Sequence, residues 1–159
     1  MILILDNIRS LHNVGSIFRT ADGAGVEKIY LCGSTPSPLD RFKSVRPEIA
    51  KTALGAENTV AWEKVATTLE AVKRLKKEGC RIVAVEQAEG AIPYYTLPAT
   101  RYPLERMALV FGHEVDGVSQ SVIEESDAII EIPMSGQKES LNVSSSVAII
   151  LFSLRDRNN

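Results

Sequence analysis

The chain has 159 residues, 45% of them hydrophobic and 24% charged, which suits one globular domain large enough to bury a core. Its formal net charge is −2. No basic field covers the whole molecule, so any nucleic-acid contact must come from a local patch or from pairing two subunits. No apolar run reaches the ~18 residues that suggest a membrane span. The opening MILILDNIRS is short and lacks the basic start of a signal peptide.

Ile2 to Leu5 reads as a short buried strand ending at Asp6-Asn7. Ser10, His12 and Asn13 precede an amphipathic helix with Val14, Ile17, Phe18, Ala21 and Gly25 on its inner stripe. Gly25 also stands where a C-terminal cap glycine belongs. Arg19 falls opposite that stripe, the ordinary place for a solvated arginine. Lys28 to Cys32 reads as a second strand. Gly33 to Ala50 reads as a loop with three prolines. It carries Arg41, Lys43 and Arg46, with Lys51 just beyond and Phe42 among them. Cations with an interleaved aromatic suit phosphate contact and base stacking; a hydrated surface loop accounts for them equally well.

Val60 to Trp62 reads as a short strand, and Glu63 to Glu78 as a helix with Val65, Leu69, Val72 and Leu75 inward. Lys73, Arg74, Lys76 and Lys77 favour the C-terminal end of its dipole, and Gly79 stops it. Arg81 to Val85 is a strand with Glu86 and Gln87 at its end. Ala91 to Arg106 reads as an irregular connection holding Tyr94, Tyr95 and Tyr102. Met107 to Phe111 is a core strand leading to Gly112, His113 and Glu114, then a short helix near Ser119 to Ser126. Ala128 to Ile132 is the last strand, stopped by Pro133. A polar loop, Ser135 to Ser140, leads into a helix with Val143, Val147, Ile150, Leu151 and Leu154 on one face. Ser140, Asn142 and Ser144 crowd its start, although one cap needs only one of them.

Short apolar strands alternating with amphipathic helices predict an α/β fold: a mostly parallel sheet with helices on both faces. Such sheets bind ligands at the carboxyl ends of their strands. There is no GxxxxGK[ST], GxGxxG or GxSxG signature. His113-Glu114 lacks a second histidine at metal spacing, and His12, His113, Glu114 and Asp116 match no standard ligand set, so no metal is expected. Cys32 and Cys80 read as free thiols of a reducing compartment, with a disulfide left open. Three polar clusters then stand out at the ends of elements: Asn13 with Arg19, Gly112 with Glu114, and Ser140 with Asn142.

These clusters lie within three ordered stretches: LDNIRSLHNVGSIFRTADGAGV (5–26), LVFGHEVDGVS (109–119) and IPMSGQKESLNVSSSVAI (132–149), with KTALGAE (51–57) between the first two. Together they resemble the SpoU/TrmH branch of the SPOUT superfamily, S-adenosylmethionine-dependent RNA ribose 2'-O-methyltransferases. The resemblance covers nearly the whole chain. It implies a C-terminal deep trefoil knot, which composition alone could never suggest, and a homodimer. It implies a donor pocket lined by Gly112, Ile132, Met134, Ser140 and Leu141, with Glu86 and Gln87 as further candidates for S-adenosyl-L-methionine. It carries over Asn13, Arg19, Glu114, Ser140 and Asn142 as the catalytic set.

An arginine is an awkward base, because its guanidinium stays charged. Arg19 is therefore expected chiefly to clamp RNA phosphate, with a base role left open. Arg41, Lys43, Arg46 and Lys51 are the other expected RNA contacts. Met1 stands directly before the first strand, and only Arg155 to Asn159 follow the last stripe. The expectation is a single methyltransferase domain over 1–159 without an added RNA-binding domain, in the cytoplasm. Transfer RNA is the expected substrate ahead of ribosomal RNA. The rivals are a non-catalytic RNA-binding module of the same fold and a methyltransferase acting on a base.

Overall fold

A computed structural model describes residues 1–156 of the chain. Its strands are β1 (Ile2–Asp6), β2 (Lys28–Cys32), β3 (Ala61–Val65), β4 (Arg81–Val85), β5 (Ile92–Pro93), β6 (Met107–Phe111) and β7 (Ala128–Glu131). They form one parallel sheet in the order β3-β2-β1-β6-β4-β7-β5. The helices are α1 (Leu11–Ala24), α2 (Pro47–Ala53), α3 (Ala56–Thr59), α4 (Thr68–Lys77), α5 (Gln120–Glu125) and α6 (Val143–Asp156). Of the tail expected beyond the last stripe, residues 157–159 lie outside the described residues.

Side chains alternate across a strand, so each strand feeds two cores. Leu3, Leu5, Ile29, Leu31, Leu109 and Phe111 share one core with Ile17 and Phe18 of α1 and Val147, Ile150 and Leu151 of α6. Ile4, Tyr30, Cys32, Ala108 and Val110 share the other with Val72 and Leu75 of α4 and Val122 of α5. With helices on both faces, β6 is buried at every residue and reads as an unbroken apolar run. Ile17 and Phe18 are fully buried, and each burial contributes roughly 1.5–3 kcal/mol. Among the described residues no helix is long and apolar enough to cross a membrane.

Several boundaries differ from the sequence reading. The loop after β2 ends at Arg46, because Pro47 opens α2, where its fixed φ and missing N–H are harmless. Lys51 therefore sits on a helix. β3 runs on through Glu63 to Val65, and α4 starts five residues later than expected. The residues Trp62 to Val65 extend because each pairs with β2, from Trp62 with Ile29 to Val65 with Cys32. Thr67 then caps α4 by accepting from the Glu70 N–H at 3.2 Å. Within α4, Leu69 is only half-buried and Ala71 is fully buried. Gly25 is the αL cap of α1 at φ 73° and is exposed, so Ala24 closes the inner stripe instead. The connection after β4 contains β5 and two 3-10 turns, Tyr94–Thr96 and Leu104–Arg106. β7 stops at Glu131, leaving Ile132 outside the strand. Both cysteines are free, Cys32 buried and Cys80 half-buried.

Candidate active site

In a parallel sheet the carboxyl ends of all strands lie on one edge, and here the loops after β1, β4, β6 and β7 gather there. A cleft of about 580 Å³ opens between the last three of them. Glu86, Gln87, Gly112, Ile132, Met134, Ser140 and Leu141 all line it, as do Glu114 and Asn142. Residues of the second and third stretches thus share one cavity, and the first reaches its rim only through Asn13.

Hydrogen bonds join those stretches. Asn142 donates from Nδ2 to Asn13 Oδ1 at 3.2 Å, and Asn13 donates from Nδ2 to Glu114 Oε1 at 3.1 Å. The Glu114 carboxylate also accepts the Ser10 N–H at 3.2 Å and the Arg9 N–H at 3.3 Å. Burial alone would push the Glu114 carboxyl up. Its own backbone N–H, the Asn13 amide and the N–H groups of Ser10 and Arg9 outweigh that and hold it below its ordinary range.

The loop carrying Glu114 is closed by two glycines. His113 and Gly117 exchange backbone hydrogen bonds of 3.0 and 2.9 Å. A Cβ on Gly112 would lie 2.1 Å from the Gly117 carbonyl carbon. Gly112 is therefore required by the chain's own backbone, rather than by a ligand alone. Gly117 has φ +70°, and a Cβ there would lie 2.2 Å from Glu86 Oε2. Glu86 spends both oxygens on this frame, accepting the Gln87 N–H at 2.9 Å and the Val118 N–H at 2.8 Å. Gln87 Nε2 donates to the Glu139 carbonyl at 2.7 Å, bracing the opposite wall.

The crowded start of α6 is now accounted for. Asn142 is the cap: its Oδ1 accepts the Ser144 N–H at 2.9 Å and the Ser144 hydroxyl at 2.6 Å. Ser140 lines the cleft without a hydrogen bond to any other described residue. Of the three polar side chains crowding this helix start, Ser140 takes no part in the cap.

Sequence reasoning missed Asp6. It is 1% exposed, and its carboxylate accepts from the Ser119 N–H at 2.8 Å, the Ser119 hydroxyl at 2.7 Å, Asn7 Nδ2 at 2.9 Å and the Thr68 hydroxyl. It ties the end of β1 to the far end of the Glu114 loop. A carboxylate closing an apolar strand was the available signal, since such a group stays buried only when fully hydrogen-bonded. His113 is likewise committed locally, its Nδ1 accepting the N–H groups of Val115 and Asp116 at 3.2 and 3.1 Å. No cluster of three or more His, Cys, Asp or Glu able to hold a metal is present among the described residues.

The expected cations are elsewhere. Arg19 is exposed on α1, does not line the cleft, and makes no hydrogen bond or ion pair with the described residues. Arg41 and Lys43 are exposed around the tip of a tight hairpin closed by a Leu39–Val45 bridge. Asp40 Oδ1 accepts the N–H groups of Phe42 and Ser44 there, and Lys43 takes φ 62°. Phe42 is 72% exposed, with the Arg41 guanidinium 4.7 Å from its ring centre. Arg46 is half-buried behind the hairpin, and Lys51 is exposed on α2.

The cleft itself is acidic. Glu86, Glu114, Asp116, Glu131 and Glu139 line it, and among the described residues no Lys or Arg does. Val85, Phe111, Ile132, Met134 and Leu141 add an apolar part. This donor set fits an organic ligand that carries positive charge and a flat apolar group, and it disfavours a polyphosphate.

The chain is similar to known proteins over nearly its whole length. The family model for the SpoU rRNA methylase family matches residues 1–152. A 23S rRNA (guanosine-2'-O-)-methyltransferase, RlmB, of Neisseria meningitidis is 32% identical over 156 residues, covering 98% of this chain and 58% of that protein. Its counterpart from Salmonella typhi is 34% identical over 151 residues, 95% of this chain and 58% of that protein. The chain thus spans less than two thirds of these relatives' length. Among solved structures, the AdoMet-bound rRNA methyltransferase from Sinorhizobium meliloti matches with a TM-score of 0.86 and 29% identity over 98% of this chain and 56% of its own. The A. aeolicus TrmH/SpoU tRNA modifying enzyme matches with a TM-score of 0.83 and 29% identity over 99% of this chain and 74% of its own. With its parallel sheet, its second and third motifs lining one cleft and the family match over nearly all its length, the chain belongs to the SpoU rRNA methylase family.

Proposed function

We propose that the protein is an S-adenosylmethionine-dependent methyltransferase acting on a ribose 2'-hydroxyl of RNA. The observation that carries this reading is the cleft's five carboxylates and, among the described residues, no basic side chain, which suit a cationic methyl donor. The Sinorhizobium relative, an AdoMet-bound rRNA methyltransferase, and the Neisseria relative, a 23S rRNA (guanosine-2'-O-)-methyltransferase, support it.

When bound, S-adenosylmethionine supplies an activated methyl on a positively charged sulfur. Gly112, Ile132, Met134, Ser140 and Leu141 form its slot, with Glu86 and Gln87 as braces. The chain's own task is to align the sugar oxygen and accommodate its proton. Asn13, Glu114 and Asn142 keep the rim of the cleft in one geometry. Every oxygen of Glu114 already accepts an N–H, so Glu114 orients rather than takes the proton. The Ser140 hydroxyl is uncommitted and contacts the reactants.

Among the described residues, no Lys or Arg lines the cleft to meet RNA phosphate. Arg19 supplies that clamp across a homodimer: the partner's Arg19 meets the cleft of the first protomer. Arg41, Lys43, Arg46 and Lys51, with Phe42 as a stacking platform, extend the RNA surface. A trefoil knot through the loops after β6 and β7 belongs to the same reading. It is supported by β6 lying between β1 and β4, although it follows both in sequence. One methyltransferase domain over residues 1–159 is the proposed organisation, and free thiols agree with a cytoplasmic setting. Transfer RNA is the first substrate to test and ribosomal RNA the second, since relatives' names include both.

The test is nucleoside mass spectrometry of transfer and ribosomal RNA after incubation with protein and S-adenosylmethionine, beside calorimetry of donor binding. A 2'-O-methylated nucleoside from either RNA supports the reading. A methylated base, or no donor binding, overturns it.

A further inference from the structure

A second cleft, of about 460 Å³, opens at the opposite edge of the sheet, where β4, β6 and β7 begin. Lys76, Arg81, Arg101 and Arg106 line it, against one carboxylate, Asp127. Its cations converge because the strand order sets β6, β4 and β7 side by side. Arg81 pairs with Met107, so Arg106 falls beside Cys80, which also lines the cleft.

The cations are not all neutralised. Lys76 is held by Glu125 at 3.0 Å, and Arg81 reaches Asp127 at 3.4 Å. Asp127 is largely spent on the Ile82 N–H at 2.8 Å. Arg101 and Arg106 are exposed and form no ion pair among the described residues; Arg101 lies 5.6 Å from the ring centre of Tyr102. In a chain of net charge −2, two unpaired guanidiniums beside a third in one concavity make a local anion site.

We propose that this cleft binds phosphate groups of the RNA backbone, as a second contact remote from the methyl-transfer cleft. The five-residue strands separate the two edges by about 17 Å, so one folded RNA can engage both. The proposal rests on the RNA reading above. The polymer is favoured over a free nucleotide because Arg101 and Arg106 stand at the open rim, and no aromatic side chain lines the cleft to stack a base.

The test uses the full chain and an unmodified transfer RNA transcript. In Arg101→Ala/Arg106→Ala, RNA affinity should fall roughly three- to tenfold and the slope of log K against log salt should shrink by about 1–2. Donor binding and melting temperature should match the wild type, because both residues are exposed. Cys80 gives an independent readout: Cys32 is fully buried, so a maleimide reports on Cys80, and the transcript should slow its labelling in the wild type but not in the double variant. Unchanged affinity and slope in the double variant, with Cys80 unprotected, overturn the second contact while leaving the RNA reading intact. Protection by 5'-guanosine monophosphate alone, and not by RNA, overturns the polymer assignment in favour of a small-ligand site. If the wild type binds no RNA at low salt, the broader RNA reading falls, and this contact with it.

Discussion

Asn142 and Asn13 are 129 positions apart in sequence, and their side-chain amides meet at 3.2 Å. The same Asn142 side chain caps α6 through its other atom, Oδ1. One residue therefore starts a helix and fastens that helix to the rim of the cleft.

These two duties are separable by substitution. Asn142→Asp keeps the capping oxygen and loses the Nδ2 donor. It should retain stability within about 0.5 kcal/mol, since Asp and Asn cap comparably, yet lose at least about tenfold in methyl transfer, a barrier change of ~1.4 kcal/mol. Asn142→Ala loses both and should cost about 1 kcal/mol in urea denaturation besides. Equal activity in Asn142→Asp and wild type would show that the Asn13 tie is dispensable.

Glu114 makes a pH-dependent contribution. Its folded-state carboxyl lies below the ordinary value of 4.5, because N–H donors outweigh the opposing burial. A depressed acid stabilises the fold at pH above its unfolded value and loses that contribution as pH falls through the folded value. The stability difference between wild type and Glu114→Gln should thus be full at neutral pH and shrink below about 4.5. Denaturation midpoints across an acid pH series check this. A difference independent of pH would mean that the carboxylate charge is irrelevant to the tie.

Arg19 should act on the partner's cleft. Arg19→Lys removes the planar fork that grips phosphate at two points, so methyl transfer should drop at least about tenfold while donor binding stays near normal. Co-expressed Arg19→Ala and Asn142→Ala chains distinguish action across the dimer from action within one chain. Random pairing makes half the dimers mixed, and one of the two sites in each is intact, so about a quarter of wild-type activity should return. No recovery would return Arg19 to its own protomer's chemistry.

The hairpin tip should read RNA by charge and by stacking. Arg41→Glu with Lys43→Glu should weaken RNA binding and flatten its salt dependence by about 1–2 in log-log slope. Phe42→Ala should cost about 1–3 kcal/mol in affinity with little change in that slope, because stacking releases no counterions. Salt-titrated binding assays separate the two effects. An unchanged slope in the charge variant would remove the hairpin from the RNA surface.

Much of this was legible in the sequence. β1, β2, β4, β6 and α6 lie within about a residue or two of their expected bounds, whereas α1 starts at Leu11, so that His12 and Asn13 fall inside its first turn rather than before it. Their signals are local: apolar runs for strands buried on both faces, and a 3.6-residue stripe for the helices. Glu86, Gln87, Gly112 and Ile132 of the acidic cleft were legible too, because each follows closely on a strand, whereas Ser140, Leu141 and Asn142 were marked by the start of α6. The start of α4 was not legible. Trp62 to Val65 can satisfy either a strand or a helix, and only pairing with β2 chooses.

The sequence by itself thus determined most of the strands and helices, and many of the polar residues at their ends. Only the tertiary structure decided which ends are neighbours. Asp6 reaches Ser119, Asn13 reaches Asn142, and Arg106 falls beside Arg81, because the strand order sets β6 between β1 and β4. Hydrophobic periodicity records the face a residue presents, whereas strand order depends on long-range pairing that no local pattern encodes.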